Sequence, residues 1–448
     1  MNNKIFSFLA LCGLTGLGMA QSSFSLDEAI AYGKSHNTAY MNAGHDVAIA
    51  QETVNQTLAM GLPQISASGN YQQYLTVPGS WIKNSFSTQP GAPEYIFLQF
   101  QQAYTSSANL SVNQLIFDGT YFVGLKASKE FVNLSQLQEN LSEQSLKSSI
   151  TKAYILVASL QKNQEFIQAN KANINQSLLE MRALNKEGFT ETLDVQRLEL
   201  NYRNIVLQEE KLNMGIAMAL NALKLQMGYP MNDELNISLN LEQLNSSMSS
   251  IDAELNNFNP STRLEYQLLN QSILLNEMDK KRYQMGYIPQ LVGFYQHQET
   301  TQRPEFNFFQ SNLTPNNNWV PSNAIGLSMR LTLFDGLKTP AKLREIDHKI
   351  EKGQNDLSQF QNAAWLQYQN AKRSYELNLT QAEIQKESLD LAQDIYNKSL
   401  LKLKEGVGSS LEVTQAETEL KAAQNNYLNA IYDLVLSKVD LKTAYGSL

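Results

Sequence analysis

The sequence holds one cysteine, Cys12, in 448 residues. It lies inside the first apolar run, within a segment expected to be removed, so the mature chain is left without disulfides or thiolate metal sites. Histidine is as sparse. His36, His45, His297 and His348 are scattered, and no HExxH pair exists to hold zinc. No GxSxG elbow, Walker loop or paired-carboxylate motif is present, so no catalytic function is expected. Cofactors are not expected either. Basic residues are in deficit, 35 Lys and Arg against 43 Asp and Glu, for a formal charge of −8. That balance argues against nucleic acid as a partner. Beyond the N-terminus no run approaches the ~18 apolar residues of a membrane-spanning helix.

The N-terminus itself reads MNNKIFSFLALCGLTGLGMAQ. Lys4 supplies a positive n-region, Ile5 to Leu17 an apolar core, and Gly18-Met19-Ala20 small residues for cleavage. This predicts a secretory signal over residues 1–20. Leu11 before Cys12 does not fit a lipoprotein signal. An exported chain without a spanning helix is periplasmic, secreted, or crosses an outer membrane as a β-barrel.

What is present is an internal duplication. Phe117-Asp118-Gly119 recurs as Phe334-Asp335-Gly336, KEGFTETLDV as KEGVGSSLEV, and Gly228 as Gly446, at an offset of about 218 residues. Residues 21–230 form the first repeat, 231–258 a linker and 259–448 the second. Each repeat reads helix, two strands, long helix, break, helix. Asn259-Pro260-Ser261 marks the start of the second repeat's first helix.

The helices carry heptads. Val413, Leu420, Tyr427, Leu434 and Leu441 form one row, and Ala416, Ala423, Ala430, Ser437 and Ala444 a second, which is a coiled-coil seam. Leu198, Ile205, Leu212 and Ala219 echo it in the first repeat. Leu193, Leu200, Leu207 and Met214 add an apolar row on another face, as expected of helices packed on both sides. Thr120–Lys186 and Thr339–Lys404 have no proline past their first turn and almost no glycine. Each predicts a helix of roughly 95–100 Å, and hence an elongated molecule.

The strands alternate apolar and polar. Gln64–Val77, Ala108–Phe117 and Ala324–Phe334 do so clearly, whereas Pro289–Gln298 does so poorly and is left without an orientation. Alternation over about ten residues is the pattern of a transmembrane barrel, apolar outward and polar inward, which puts Arg330 in the lumen. Pro78–Ser107 and Gln298–Ser322 are expected as outer loops. Four strands cannot close a barrel, and an open edge in lipid is forbidden. Three copies sharing one barrel give about twelve strands.

Taken together, these features resemble the TolC family of outer-membrane factors. The carriers are the opening SLDEAI, two proline-led strands, two FDG junctions and two EG…D/E-V breaks, in order, behind a signal. The resemblance implies a mainly α fold with a small β part. A trimeric twelve-stranded transmembrane barrel, four strands per chain, continues as a long periplasmic α-helical coiled-coil barrel. It implies the exit duct of a tripartite efflux pump or type I secretion system in the outer membrane of a Gram-negative bacterium, extending into the periplasm. The partners would be two further copies, a periplasmic adaptor, an inner-membrane pump of RND or ABC type, and outer-membrane lipid.

Residue by residue, Glu187-Gly188-Phe189 and Glu405-Gly406-Val407 resemble the family's adaptor-contacting tips. The two glycines also fit helix C-caps, and both readings hold together. Asp194 and Glu412 match the acids near the periplasmic gate. Gln415 stands where some members place a second acidic ring. Glu412 also reads as an ordinary acid at a helix N-terminus. Some members tie neighbouring helices with an arginine where this chain has Gly408-Ser409-Ser410, so no bridge is expected from there. Asp118 and Asp335 are read as helix caps at the strand-to-helix junctions. The other reading is an exported trimeric coiled-coil structural or adhesive protein, which leaves the duplicated strands unexplained.

Overall fold

The structure is a computed structural model that describes residues 23–86, 89–238, 241, 243–244, 258–308, 318–405 and 407–448. The expected signal lies outside the described residues, as do Gly406 and residues 239–240, 242 and 245–257 around the linker. The first half contains β1 (Ser23–Phe24), α1 (Leu26–His36), α2 (Thr38–Ala59), β2 (Gln64–Gln73), β3 (Ser80–Lys83), β4 (Tyr95–Leu98), β5 (Tyr104–Phe117), α3 (Gly119–Lys186) and α4 (Thr192–Met227). The second contains β6 (Asn236–Ile237), α5 (Leu264–Met285), β7 (Gln290–Arg303), β8 (Val320–Arg330), α6 (Lys338–Lys404) and α7 (Ser410–Tyr445). The chain divides into two compact units. One comprises residues 47–135 and 269–355, the other residues 1–46, 136–268 and 356–448.

The first unit holds a four-stranded antiparallel sheet in the order β2-β5-β7-β8. Ladder partners fix two faces. On one, Gln64, Ser66 and Ser68 of β2 stand beside Asn113, Ser111 and Asn109 of β5, and the Ser66 and Ser111 hydroxyls meet at 2.8 Å. Phe294 and Gln296 of β7 and Gly326 and Ser328 of β8 continue that face. The other face carries Ile65 and Ala67, then Leu110 and Val112, then Leu291, then Met329, Leu327 and Ile325. Neither β2 nor β8 has a partner on its outer edge among the described residues.

Element bounds depart from expectation in informative ways. β5 and β7 each run to 14 residues, so part of both expected outer loops is strand. The first loop also contains the β3–β4 hairpin, the extra length of the first repeat. β8 stops at Arg330, because the ladder ends at its partner Gln290, and the preceding Pro289 has no amide hydrogen with which to extend it. Pro321 is tolerated because β8 is an edge strand. β7 alternates poorly because its apolar-side positions turn polar beyond Tyr295, at His297, Glu299, Thr301 and Arg303. Arg303 is 0% exposed, its guanidinium lying 4.9 Å from the Phe308 ring and donating to the Asn307 carbonyl.

In the second unit, Ser25 and Glu28 form a capping box that starts α1. β1 pairs with β6 in parallel, and Tyr154 Oη donates to the Phe24 carbonyl at 2.8 Å. The main core gathers Tyr154, Leu223, Met227, Leu434, Val435 and Val439. Both heptad rows of α7 are buried along their whole length. Leu178, Met181 and Leu198 pack together, as do Ile167, Ile174, Ile205 and Leu212, so α4 runs back along α3. Tyr396 packs on Val413, Ala416 and Leu420, so α7 runs back along α6. The row Leu193, Leu200, Leu207 and Met214 stays exposed in the single chain. Asn259-Pro260-Ser261 opens a 3₁₀ turn, Pro260–Thr262, which precedes α5 instead of forming its first turn.

Candidate functional site

Each strand-to-helix junction is organised by its aspartate, in different ways. Phe117 ends β5 and Gly119 already belongs to α3. Asp118 Oδ1 accepts from the Thr120 amide and hydroxyl, both at 2.7 Å, and from the Tyr121 amide at 3.4 Å. In the second repeat seven residues separate β8 from α6. Asp335 Oδ2 accepts from the Thr339 amide at 2.8 Å. Hydrogen bonds from Thr339, led by its side chain, hold the Asp335 carboxyl below its ordinary range. Gly336 and Leu337 both have left-handed φ, +68° and +65°. Phe334 and Leu337 are exposed.

The helix breaks are tight turns. Gly188 has φ +83°. Its amide donates to the Asn185 carbonyl and the Phe189 amide to that of Leu184, at 3.0 and 2.9 Å. This is a Schellman motif, which satisfies the last carbonyls of α3. Asn185 Nδ2 then donates to the Thr190 carbonyl at 2.7 Å. In the other turn the Val407 and Gly408 amides both donate to the Lys402 carbonyl at 3.0 Å. Phe189 and Val407 are each 79% exposed, and Glu187 and Glu405 are exposed beside them. Each turn thus offers one apolar side chain next to one carboxylate.

Just past the turns, the structure ties α4 to α7. The Ser410 hydroxyl donates to Asp194 Oδ1. No bridge is expected there from the missing arginine, yet the serine hydroxyl makes one. Seven residues on, Asn201 Nδ2 donates to Glu417 Oε2 at 2.5 Å. Lys421 Nζ lies 2.7 Å from Glu417 Oε1, an ion pair without hydrogen-bond alignment. Glu417 is 3% exposed. Burial, and then the Glu417 charge, push the neighbouring Tyr396 hydroxyl up to about 12. Farther along, Asn170 Nδ2 donates to Gln424 Oε1 at 2.8 Å.

On α7 these polar contacts repeat every seven residues, at Ser410, Glu417 and Gln424, with partners from α4 for the first two and from α3 for the third. Sequence reasoning missed Asn201, Glu417 and Lys421. The available signal was a polar heptad row, Asp194-Asn201-Gln208 against Ser410-Glu417-Gln424, threaded between apolar ones.

The two acids expected at the gate therefore differ. Asp194 is half-buried and engaged by Ser410, with Arg197 at 3.9 Å. Glu412 is exposed; its amide is capped by Ser409 Oγ at 3.2 Å. Gln415 Nε2 donates to Glu419 at 3.3 Å. Arg330 lies on the polar face of the sheet, opposite Gln290. Among the described residues no cluster of His, Cys, Asp or Glu has the form of a metal site, and no helix is long and apolar enough to cross a membrane.

The Outer membrane efflux protein family matches residues 243–447. Outer membrane protein TolC of Vibrio cholerae is 20% identical over 465 residues, covering 99% of this chain and 96% of its own length. TolC of Salmonella enteritidis is 19% identical over 459 residues, covering 99% and 86%. Among solved structures, the open-state MtrE outer membrane channel of Neisseria gonorrhoeae superposes with a TM-score of 0.71 at 15% identity, over 94% of this chain and 88% of that one.

Proposed function

From the similarity of this chain to outer-membrane efflux proteins and TolC, we propose that it is a TolC-like passive exit duct serving a tripartite pump or type I secretion system. It resides in the Gram-negative outer membrane and extends into the periplasm. The observation that carries the reading is the sheet: one polar face, one apolar face, and two unpaired edges. Unpaired backbone in lipid costs several kcal/mol per group, so the edges must meet edges of other copies. β2 and β8 run antiparallel in the order given, so β8 of one copy can pair with β2 of the next, and three copies close about twelve strands. The exposed row Leu193, Leu200, Leu207 and Met214 gives the same copies an apolar helical contact.

In this reading the two sequence repeats, 21–230 and 259–448, are structural duplicates joined by 231–258. Glu187-Gly188-Phe189 and Glu405-Gly406-Val407 meet a periplasmic adaptor, which couples the duct to an inner-membrane pump of RND or ABC type. Asp194, Glu412 and Gln415 lie at the periplasmic gate. Asp194 belongs to a latch with Ser410, and Glu412 contributes to an acidic ring. The aspartates of Phe117-Asp118-Gly119 and Phe334-Asp335-Gly336 fix the passage from barrel to helix. The energy for transport comes from the partners.

The test pairs biochemistry with export. Gel filtration of detergent-extracted protein, with circular dichroism, is expected to give a mostly helical, detergent-dependent trimer; a soluble rod would refute the duct. A Gly188→Asp/Gly406→Asp double variant is expected to stay trimeric and lose export. Normal export from that variant would remove the tips from the adaptor contact.

A further inference from the structure

The polar face of the sheet has an unusual charge inventory. Its positions alternate through all four strands, and every one is an amide, a hydroxyl or an uncharged side chain except Arg330. Among the described residues no ion pair engages Arg330, and its side chain is exposed. The carboxylate tied to Gln290, the ladder partner of Arg330, is Asp118. Its Oδ1 caps α3 and its Oδ2 accepts from Gln290 Nε2 at 3.1 Å. A neighbouring copy would meet β8 with neutral side chains on this face. The edge it would offer to β8 is β2, whose polar face carries Gln64, Ser66 and Ser68. The guanidinium is therefore the one charge that the described strands place on this face, among amides, hydroxyls and the apolar side chains of Val292, Phe294 and Ala324.

Beside it lies an apolar platform. A cavity of about 460 Å³ on this face is bounded by Arg330, Ser328, Phe294, Gln296, Ser111 and Asn113. Phe294 sits across from Gly326, and its ring occupies the space a side chain there would need; a Cβ at 326 would fall 2.7 Å from Phe294 Cζ. Glycine lets the ring lie down against the strand and present its face. A fixed cation, a flat aromatic face and neutral amide donors side by side match an organic anion with an apolar or aromatic body.

We propose that this face is an anion-preferring stretch of the duct, in which Arg330 is the specificity-determining residue for cargo bearing a carboxylate, sulfonate or phosphate, and Phe294 supports its apolar body. The proposal rests on the duct reading, because it needs this face to line a lumen. With one Arg330 from each copy, the guanidinium groups form a basic ring at the end of the barrel where the long helices start. Rings of one charge sign set ion preference in pores, and arginine rings favour anions. Glu412, read above as part of an acidic ring, carries the opposite sign and is expected to favour cations.

The experiment is ion selectivity of the purified full-length protein in planar bilayers under a potassium chloride gradient, for wild type, R330K, R330Q, R330E and E412Q. The chloride-to-potassium permeability ratio is expected to fall roughly threefold or more in R330Q. It is expected to fall further in R330E, hold in R330K and rise in E412Q. Block of the current by added naphthalene trisulfonate is expected to weaken in R330Q and in F294L. Channels that conduct with the same ratio in R330Q and R330E overturn the assignment of Arg330 and leave the duct intact. Protein that reconstitutes as a trimer but conducts in no variant overturns the duct, and this inference with it.

Discussion

At the scale of single residues, burial and charge act together on Tyr396, where α6 packs against α7. Tyr396 keeps its proton up to about pH 12 in the folded chain, whereas an unfolded tyrosine releases it near 10. Between those values the folded state holds the extra proton. Its stabilisation is complete below about pH 10 and is lost as pH rises through the folded value, to a total of about 2–3 kcal/mol. Thermal melts followed by circular dichroism should lose midpoint temperature between pH 10 and 12. Tyr396→Phe should flatten that part of the dependence; an unchanged slope would mean another group carries it. Gly188 makes a second residue-scale case. Its φ of +83° leaves open space around a Cβ but strains any backbone that bears one. Gly188→Val should cost about 1–2 kcal/mol of tip stability and Gly188→Asn far less. Equal losses on hydrogen exchange at α3's last turn would show that the turn tolerates side chains freely.

At the scale of elements, legibility followed environment. The α7 heptads could be read because each row meets one surroundings along its length, and all ten positions named from sequence are buried. Small residues in the second row set the spacing to the neighbouring helices. Ala430→Leu should therefore destabilise by about 1–3 kcal/mol through overpacking, and Leu434→Ala by about 2–5 kcal/mol through a cavity. Urea titration monitored at 222 nm distinguishes both from surface changes such as Asn429→Ala, which should be neutral. β7 was hard to orient because its outer half is polar on both faces. Arg303 is buried there by Asn307 and Phe308, residues that follow the strand, so alternation carries no signal. The Ser410–Asp194 link was hidden for a different reason. An expectation built on a charged residue type does not foresee that a hydroxyl can reach the same acceptor. The polar pairs in the seam are set by helix register, which the duplication offset does not report: the halves align about 218 residues apart, whereas contacts pair 194 with 410 and 201 with 417.

At the scale of the whole molecule, one chain is unfinished. Among the described residues two sheet edges lack partners, and Leu193, Leu200, Leu207 and Met214 on α4 face solvent. Burying such a row is worth about 1.5–3 kcal/mol per large side chain, and placing a carboxylate in it reverses that gain. Leu200→Asp/Leu207→Asp should leave the helical content of the chain intact while shifting detergent-solubilised protein from trimer to monomer in light scattering. A stable trimer from that variant would move the helical contact between copies elsewhere.

The Schellman turn at Gly188 also bears on how this chain can change over generations. One nucleotide change in a glycine codon yields alanine, valine, serine, cysteine, arginine, tryptophan, aspartate or glutamate, according to the codon. All of these carry a Cβ, and none is asparagine, the residue best suited to a left-handed backbone. Every first mutational step away from this glycine therefore passes through a strained turn. A lineage under pressure to alter its tip surface has easier routes at Phe189 and Val407, whose side chains point into open space and hold nothing in place.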